Sequence, residues 1–424
     1  MLLTIALAVS TAMAPLTTSF EVSGVRVILR QNAANNVVVA NLYLLGGARQ
    51  VSLANAGIEP ILLDVSERGT ARYAKNALRR GMSRLGTEIV MSPGADWTTF
   101  GIRSSTEVFD STWSIFADRV MAPTLASAEV NLVKAQYLSA IRQRRDDPDA
   151  LANYLADSIT FAGHPYSVSV IGNERSIQAI DSAALRAYHQ REIVTSRMLL
   201  VVVGNIDRAH IERLVAQSLG RLPRGTYKWT APPRVPERET AVVIERRQMP
   251  TNYIVGYYSG PLATGDDYRA LRVATTVLTG RMFAEIRTRQ NLTYDVHAPF
   301  VDRAATVGGL YVSTVSPDTT LKLMRAAIND LQTGLVDPDG LKQMEHHYIT
   351  EYFLDNETNA EQADFLARAQ LYEGDYRAVD RFVSDLRNVT PEAVQRVARR
   401  YMKGFRFAYV GDPAKLNART IALF

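Results

Sequence analysis

Apolar positions recur along this chain in two rhythms that alternate from one end to the other. Val25–Leu29, Asn36–Leu44 and Thr98–Ile102 are short runs rich in β-branched and aromatic residues, which predicts strands. Elsewhere the apolar spacing lengthens to three and four. Helices are predicted over 59–68 and 75–85, and in longer stretches through 110–155. Met198–Gly204 is apolar until its closing glycine, the pattern of a strand buried on both faces. The periodicity then stops. Leu222–Gly225 and Ala231–Pro236 are rich in proline and predict a linker.

Beyond the linker the same order returns. Ala241–Ile244, Tyr253–Tyr258 and Gly308–Val315 read as strands, and 267–290 and 318–401 as helical stretches. Phe405–Asp412 closes the second half as Met198–Gly204 closed the first. Asp181-Ser182 and Thr390-Pro391 offer matching helix starts ahead of the two closing strands. A repeated order of this length implies a duplicated α+β domain, each copy a mostly antiparallel sheet with helices packed on one face. The expected boundaries are 16–225 for the first domain, 226–240 for the linker and 241–424 for the second.

Composition narrows the class. A chain of 424 residues is too long for one core. Its 47% hydrophobic and 21% charged residues are ordinary for a globular protein. The net charge of +5 is dispersed. Its densest stretches, Arg142-Gln143-Arg144-Arg145 and Arg396–Arg400, fall in helical patterns. They predict solvated helix faces, not a nucleic-acid surface. The absence of cysteine excludes disulfides, thiolate nucleophiles and cysteine-ligated zinc. Leu2–Val9 is apolar but too short to span a bilayer, and Ala12-Met13-Ala14 follows as a small-x-small cleavage site. We read residues 1–14 as a secretory signal, which predicts export to the periplasm, although no Lys or Arg precedes the run. Otherwise the chain is cytoplasmic. No later stretch is apolar enough for a membrane span.

Histidine is scarce. None of the 6 precedes His164, and none lies three or four residues from another, so no helix turn offers two imidazoles to one metal. His346 and His347 are adjacent and point apart. His164 is expected to pack or cap a turn beside Tyr166.

Several short segments occur in a telling order: Gly46-Gly47-Ala48-Arg49, Arg68-Gly69-Thr70, Asp146-Asp147-Pro148, Gly163-His164-Pro165-Tyr166, Ile171-Gly172 and Arg287-x6-Tyr294. Over nearly the whole chain after the leader, this order resembles the pitrilysin (insulinase-like) zinc metallopeptidases, which include mitochondrial processing peptidase. The resemblance puts Pro60, Leu63 and Asp64 where active members carry His-x-x-Glu-His, and Ala140 where they carry the glutamate ligand. Proline, leucine and alanine offer neither ligand nor base, so no metal is expected in this chain. Val90–Gly94 matches the family's substrate-gripping edge strand, where Pro93 is expected to interrupt the ladder. Arg287 and Tyr294 keep the family's spacing. The resemblance implies that they reach a substrate carbonyl from the second half of a catalytic chamber, with Arg289 the competitor two residues away. The implied function is the zinc-free subunit of a heterodimeric peptidase, inactive alone, with zinc and the peptide-hydrolysing centre in a pitrilysin-type partner. The alternative is a non-catalytic scaffold or peptide-binding module of the same fold.

Overall fold

The computed structural model describes residues 17–424, so the leader lies outside the described residues. The first sheet holds β1 (Thr17–Val22), β2 (Val25–Gln31), β3 (Val37–Leu45), β4 (Glu88–Pro93), β5 (Trp97–Ser105) and β6 (Met198–Gly204) in the order β1-β2-β6-β3-β5-β4. The second holds β7 (Ala241–Arg246), β8 (Asn252–Leu262), β9 (Thr293–His297), β10 (Phe300–Val301), β11 (Ala305–Thr314) and β12 (Arg406–Gly411). Its order is β10-β11-β8-β12-β7, with β9 also paired along β11. Each sheet contains a single parallel pair, β2 with β6 and β7 with β12. The order β2-β6-β3-β5-β4 therefore maps onto β7-β12-β8-β11 followed by β9 and β10. This is the expected α+β duplication, and it makes β9 the counterpart of the edge strand β4.

Five helices of the first half matter below: α1 (Ile58–Ser66), α2 (Lys75–Leu85), α3 (Phe109–Met121), α4 (Ser127–Asp146) and α5 (Pro148–Thr160). The long 110–155 pattern breaks where proline demands it. Pro123 lies in the gap after α3. Pro148 opens α5 behind Asp147, whose side chain accepts the Asp149 and Ala150 N–H groups at 2.9 and 3.2 Å.

Each sheet buries one face under its own helices. In the first half Val27, Leu42 and Phe100 meet Ile61 of α1 and Phe116 of α3. In the second, Ile254, Leu310 and Phe407 meet Leu271, Leu278 and Val397. The opposite faces are covered by exchange. Val39, Tyr43 and Val201 of the first sheet pack on Ala363, Leu366 and Ala367 of the second half's helix Asn359–Arg368. Val255, Tyr257 and Val410 of the second sheet pack on Leu151, Ala152 and Ala156 of α5. Burial on both faces explains why every residue of β6 is buried.

The two halves meet at Asp96, in the turn between β4 and β5, which is 4% exposed. Its carboxylate accepts hydrogen bonds from Tyr166 Oη (2.7 and 2.9 Å), Tyr372 Oη (3.0 Å) and the Ala304 N–H (3.0 Å). Arg49 pairs with it at 3.2 Å. The same guanidinium lies 4.6 Å over the Trp229 ring and donates to the Thr230 carbonyl at 2.7 Å, fastening the linker. Gly47 makes this turn possible. Its φ is +45°, and a Cβ there would stand 2.4 Å from the Gly94 carbonyl oxygen.

Removing a buried carboxylate that neutralises an arginine is costly. Asp96→Ala is expected to destabilise the chain by about 3–5 kcal/mol, and Tyr372→Phe by about 1–2 kcal/mol. Urea denaturation should show both losses in one transition shared by the halves. Separate transitions in the unsubstituted chain would contradict the clamp.

Candidate functional site

α1 begins behind Gly57 and keeps its helical geometry although Pro60 stands in its first turn, where a missing N–H leaves no bond unmade. Pro60 and Asp64 lie one turn apart on one face. Leu63 is 2% exposed and packs into the first core. Asp64 accepts a 2.6 Å hydrogen bond from Tyr137 Oη of α4. Ala140, one turn beyond Tyr137, is exposed. The α1 face thus presents a pyrrolidine ring and a carboxylate engaged by a phenol of α4, and the Ala140 side chain on α4 is a methyl group. Glu129 cannot replace the missing ligand, because Lys75 holds it at 2.7 Å and Arg68 at 3.6 Å. One oxygen donor does not fit zinc, which takes at least three protein ligands. Among the described residues no cluster of three His, Cys, Asp or Glu could hold a metal.

Tyr137 was not legible from sequence. Its signal was its place one turn before Ala140, on the helix that faces α1. Three of the histidines have local partners. His164 accepts the Tyr166 N–H at 3.1 Å and places Nε2 2.8 Å from the Pro233 carbonyl, capping the turn as expected. His189 meets the Val120 carbonyl, and His210 meets Asp110. The Ile171-Gly172 signature is also structural. Gly172 has φ +78°, and a Cβ there would lie 2.5 Å from the Ala56 carbonyl oxygen beside α1.

On β4 the structure differs from expectation. Pro93 is the last residue of the strand, opposite Thr98, so the ladder from Glu88 runs to its end without interruption. A proline is tolerated there because β4 is an edge and its outer side has no ladder to break.

Arg287 and Tyr294 are brought together. The helix Asp267–Met282 runs on into a wider π-turn, Phe283–Arg289. Asn291 then takes the left-handed conformation, φ +51°, and turns the chain into β9. This places the Arg287 guanidinium 4.6 Å from the Tyr294 ring centroid and 4.7 Å from that of Phe283. No carboxylate pairs with Arg287 among the described residues, and Tyr294 is 81% exposed. Arg289, by contrast, pairs with Glu285 at 2.9 Å. The clamp residue Phe283 was missed in the sequence. Its signal was the i, i+4 spacing to Arg287, which stacks side chains on one helix face. A guanidinium held between two rings with its N–H groups unspent, beside an exposed phenol, is suited to donating hydrogen bonds to an oxyanion.

Comparison with known proteins gives consistent results. A model of the peptidase M16 inactive domain matches residues 179–346. An uncharacterized zinc protease of Mycobacterium tuberculosis is similar at 26% identity over 409 residues, 92% of this chain and 91% of its own. The mitochondrial-processing peptidase subunit beta of Blastocladiella emersonii is 22% identical over 260 residues, 60% of this chain and 55% of its own. A crystal structure of a peptidase M16 inactive domain from Pseudomonas fluorescens shares the fold with a TM-score of 0.85 at 18% identity, covering 93% of this chain and 98% of that one.

Burial pushes the Asp64 carboxyl above the ordinary range, and the Tyr137 hydrogen bond and Arg119 only partly oppose it. A raised folded-state pKa means the cost of ionising Asp64 is absent below about pH 4 and grows as the pH rises through the raised value. Asp64→Asn should therefore stabilise the chain at neutral pH and leave it unchanged in acid. A denaturation midpoint lowered at pH 7, or a gain that persists in acid, would contradict this. Elemental analysis of the dialysed chain should find no stoichiometric zinc.

Proposed function

This chain belongs to the pitrilysin (insulinase-like) metallopeptidase family, and from that premise we propose that it is the zinc-free subunit of a two-chain peptidase. The observation that carries the proposal is the Arg287 clamp. Two rings orient the guanidinium, no carboxylate neutralises it, and the Tyr294 hydroxyl stands beside it in solvent. Donors arranged like this can serve a ligand brought to them from outside the chain. A peptide carbonyl that gains negative charge during hydrolysis fits both donors. The helix α1 of the same chain cannot hold the metal such a reaction uses in this family. The zinc would therefore belong to a pitrilysin-type partner, whose active half would face the Arg287 edge.

Two further readings complete the proposal. The substrate is a peptide, and the pair meets it after export, if residues 1–14 direct the chain to the periplasm. Among the described residues no helix is long and apolar enough to cross a membrane.

The test is reconstitution. The chain is co-purified with candidate zinc-bearing partners, and peptide cleavage is assayed for each chain alone and together. Arg287→Ala or Tyr294→Phe should lower turnover of the complex about 100- to 1,000-fold while assembly stays intact, the usual cost of losing one oxyanion donor. Arg289→Ala should matter little, because Glu285 already engages that side chain. Near-normal turnover with both Arg287 and Tyr294 replaced would leave the chain a scaffold.

A further inference from the structure

The Arg142–Arg145 stretch of α4 is not uniformly a solvated face. Arg145 pairs with Glu174 at 3.4 Å, but Arg144 lines a cavity of about 450 Å³ between α4, α5 and the loop 166–173. Its guanidinium carbon lies 3.9 Å from the Tyr154 ring centroid, its Nε is sealed from solvent without a hydrogen-bond partner, and no carboxylate pairs with it among the described residues. Arg303 also lines the cavity. It rests over the Phe161 and Tyr166 rings, 5.1 and 5.3 Å from their centroids, and its nearest carboxylate, Asp157, is 3.8 Å away. Two guanidinium groups against one carboxylate leave the cavity with a positive excess.

We propose that this cavity binds the C-terminal carboxylate of a peptide, with Arg144 as the anchor. A guanidinium presents a planar fork that matches a carboxylate in two parallel hydrogen bonds. Tyr154 supports that fork from one face and fixes its plane. A dianion such as phosphate fits less well, because Asp157 shares the cavity and would repel it. The aliphatic side chains of Val168, Val170 and Ile171 add an apolar wall for the terminal residue. The volume suits one or two residues, within the range of small-ligand sites. The inference rests on the peptide-handling role proposed above, and assigns to it a second contact remote from Arg287 in the sequence.

The experiment uses the isolated full chain and no partner, so it stands apart from the turnover test. A fluorescein-labelled, alanine-rich peptide is titrated by anisotropy as the free acid and as the C-terminal amide. The acid should bind roughly 10- to 100-fold more tightly, the range for one hydrogen-bonded charge pair. Arg144→Gln should abolish that preference and leave binding of the amide unchanged, while Arg144→Lys should keep part of it. Equal binding of acid and amide, or a preference that survives Arg144→Gln, overturns the proposal. So does binding of inorganic phosphate in an Arg144-dependent way when neither peptide binds, since the site would then hold a free anion. Loss of this preference with Arg287-dependent turnover intact would sink the pocket alone.

Discussion

Burying a carboxylate is unfavourable unless every lone pair it turns inward meets a donor. Asp96 meets this condition only when both halves are in place. Tyr166 and Arg49 come from the first half, and Tyr372 and the Ala304 N–H from the second. Neither set suffices alone. The requirement therefore fixes the relative position of the halves as well as holding them together. It also ties in the linker, because the arginine that neutralises Asp96 stacks on Trp229.

The exchange of helices follows from that fixed arrangement. With the halves locked, α5 lies across the second sheet and the helix Asn359–Arg368 across the first. Alanines at both contacts let helix and sheet approach closely. The exchange also brings groups from distant parts of the chain together. Arg303 follows β10 of the second half, next to Ala304 and thus to Asp96, yet it lines a cavity formed mainly by α4 and α5. Tyr311 of β11 stacks on His297 of β9 and is influenced by Asp149 of α5. The edge carrying Tyr294 is in this way connected to the first half through packed side chains.

Much of this was legible in the sequence because the dominant signals are local. Period two against period three-and-four separated strands from helices, and the repeat of element order gave the duplication. Several features depended on long-range contacts or on runs too short to carry a period. β1 alternates only weakly, and β10 is two residues long. The covering of each sheet by the other half's helix has no local signature beyond the unbroken apolar run of β6. At the site, the spacing of Arg287 and Tyr294 was readable. The Phe283 clamp and the Tyr137–Asp64 bond were not, because both depend on which turns of packed elements face each other. Pro93 was misjudged because sequence could not say that it would fall on the last rung of β4.

The two groups of residues that the resemblance singles out, on α1 and on the π-turn, differ physically. On α1 the side chains serve packing. Leu63 is buried, and full burial of such a side chain contributes about 1.5–3 kcal/mol. Tyr137 occupies the one remaining carboxylate. The buried leucine favours stability, whereas the Tyr137 hydrogen bond only partly offsets the cost of burying Asp64 as a carboxylate. On the π-turn the opposite holds. Phe283 and Tyr294 are exposed, and the guanidinium between them has no carboxylate partner, although Glu285 on the same turn serves Arg289. A surface shaped by folding alone would gain by burying those rings or pairing that charge. Stability and activity pull against each other where a site must stay available. The proposed division of labour is consistent with this asymmetry, since α1 packs into the core while the rings beside Arg287 stay exposed to solvent.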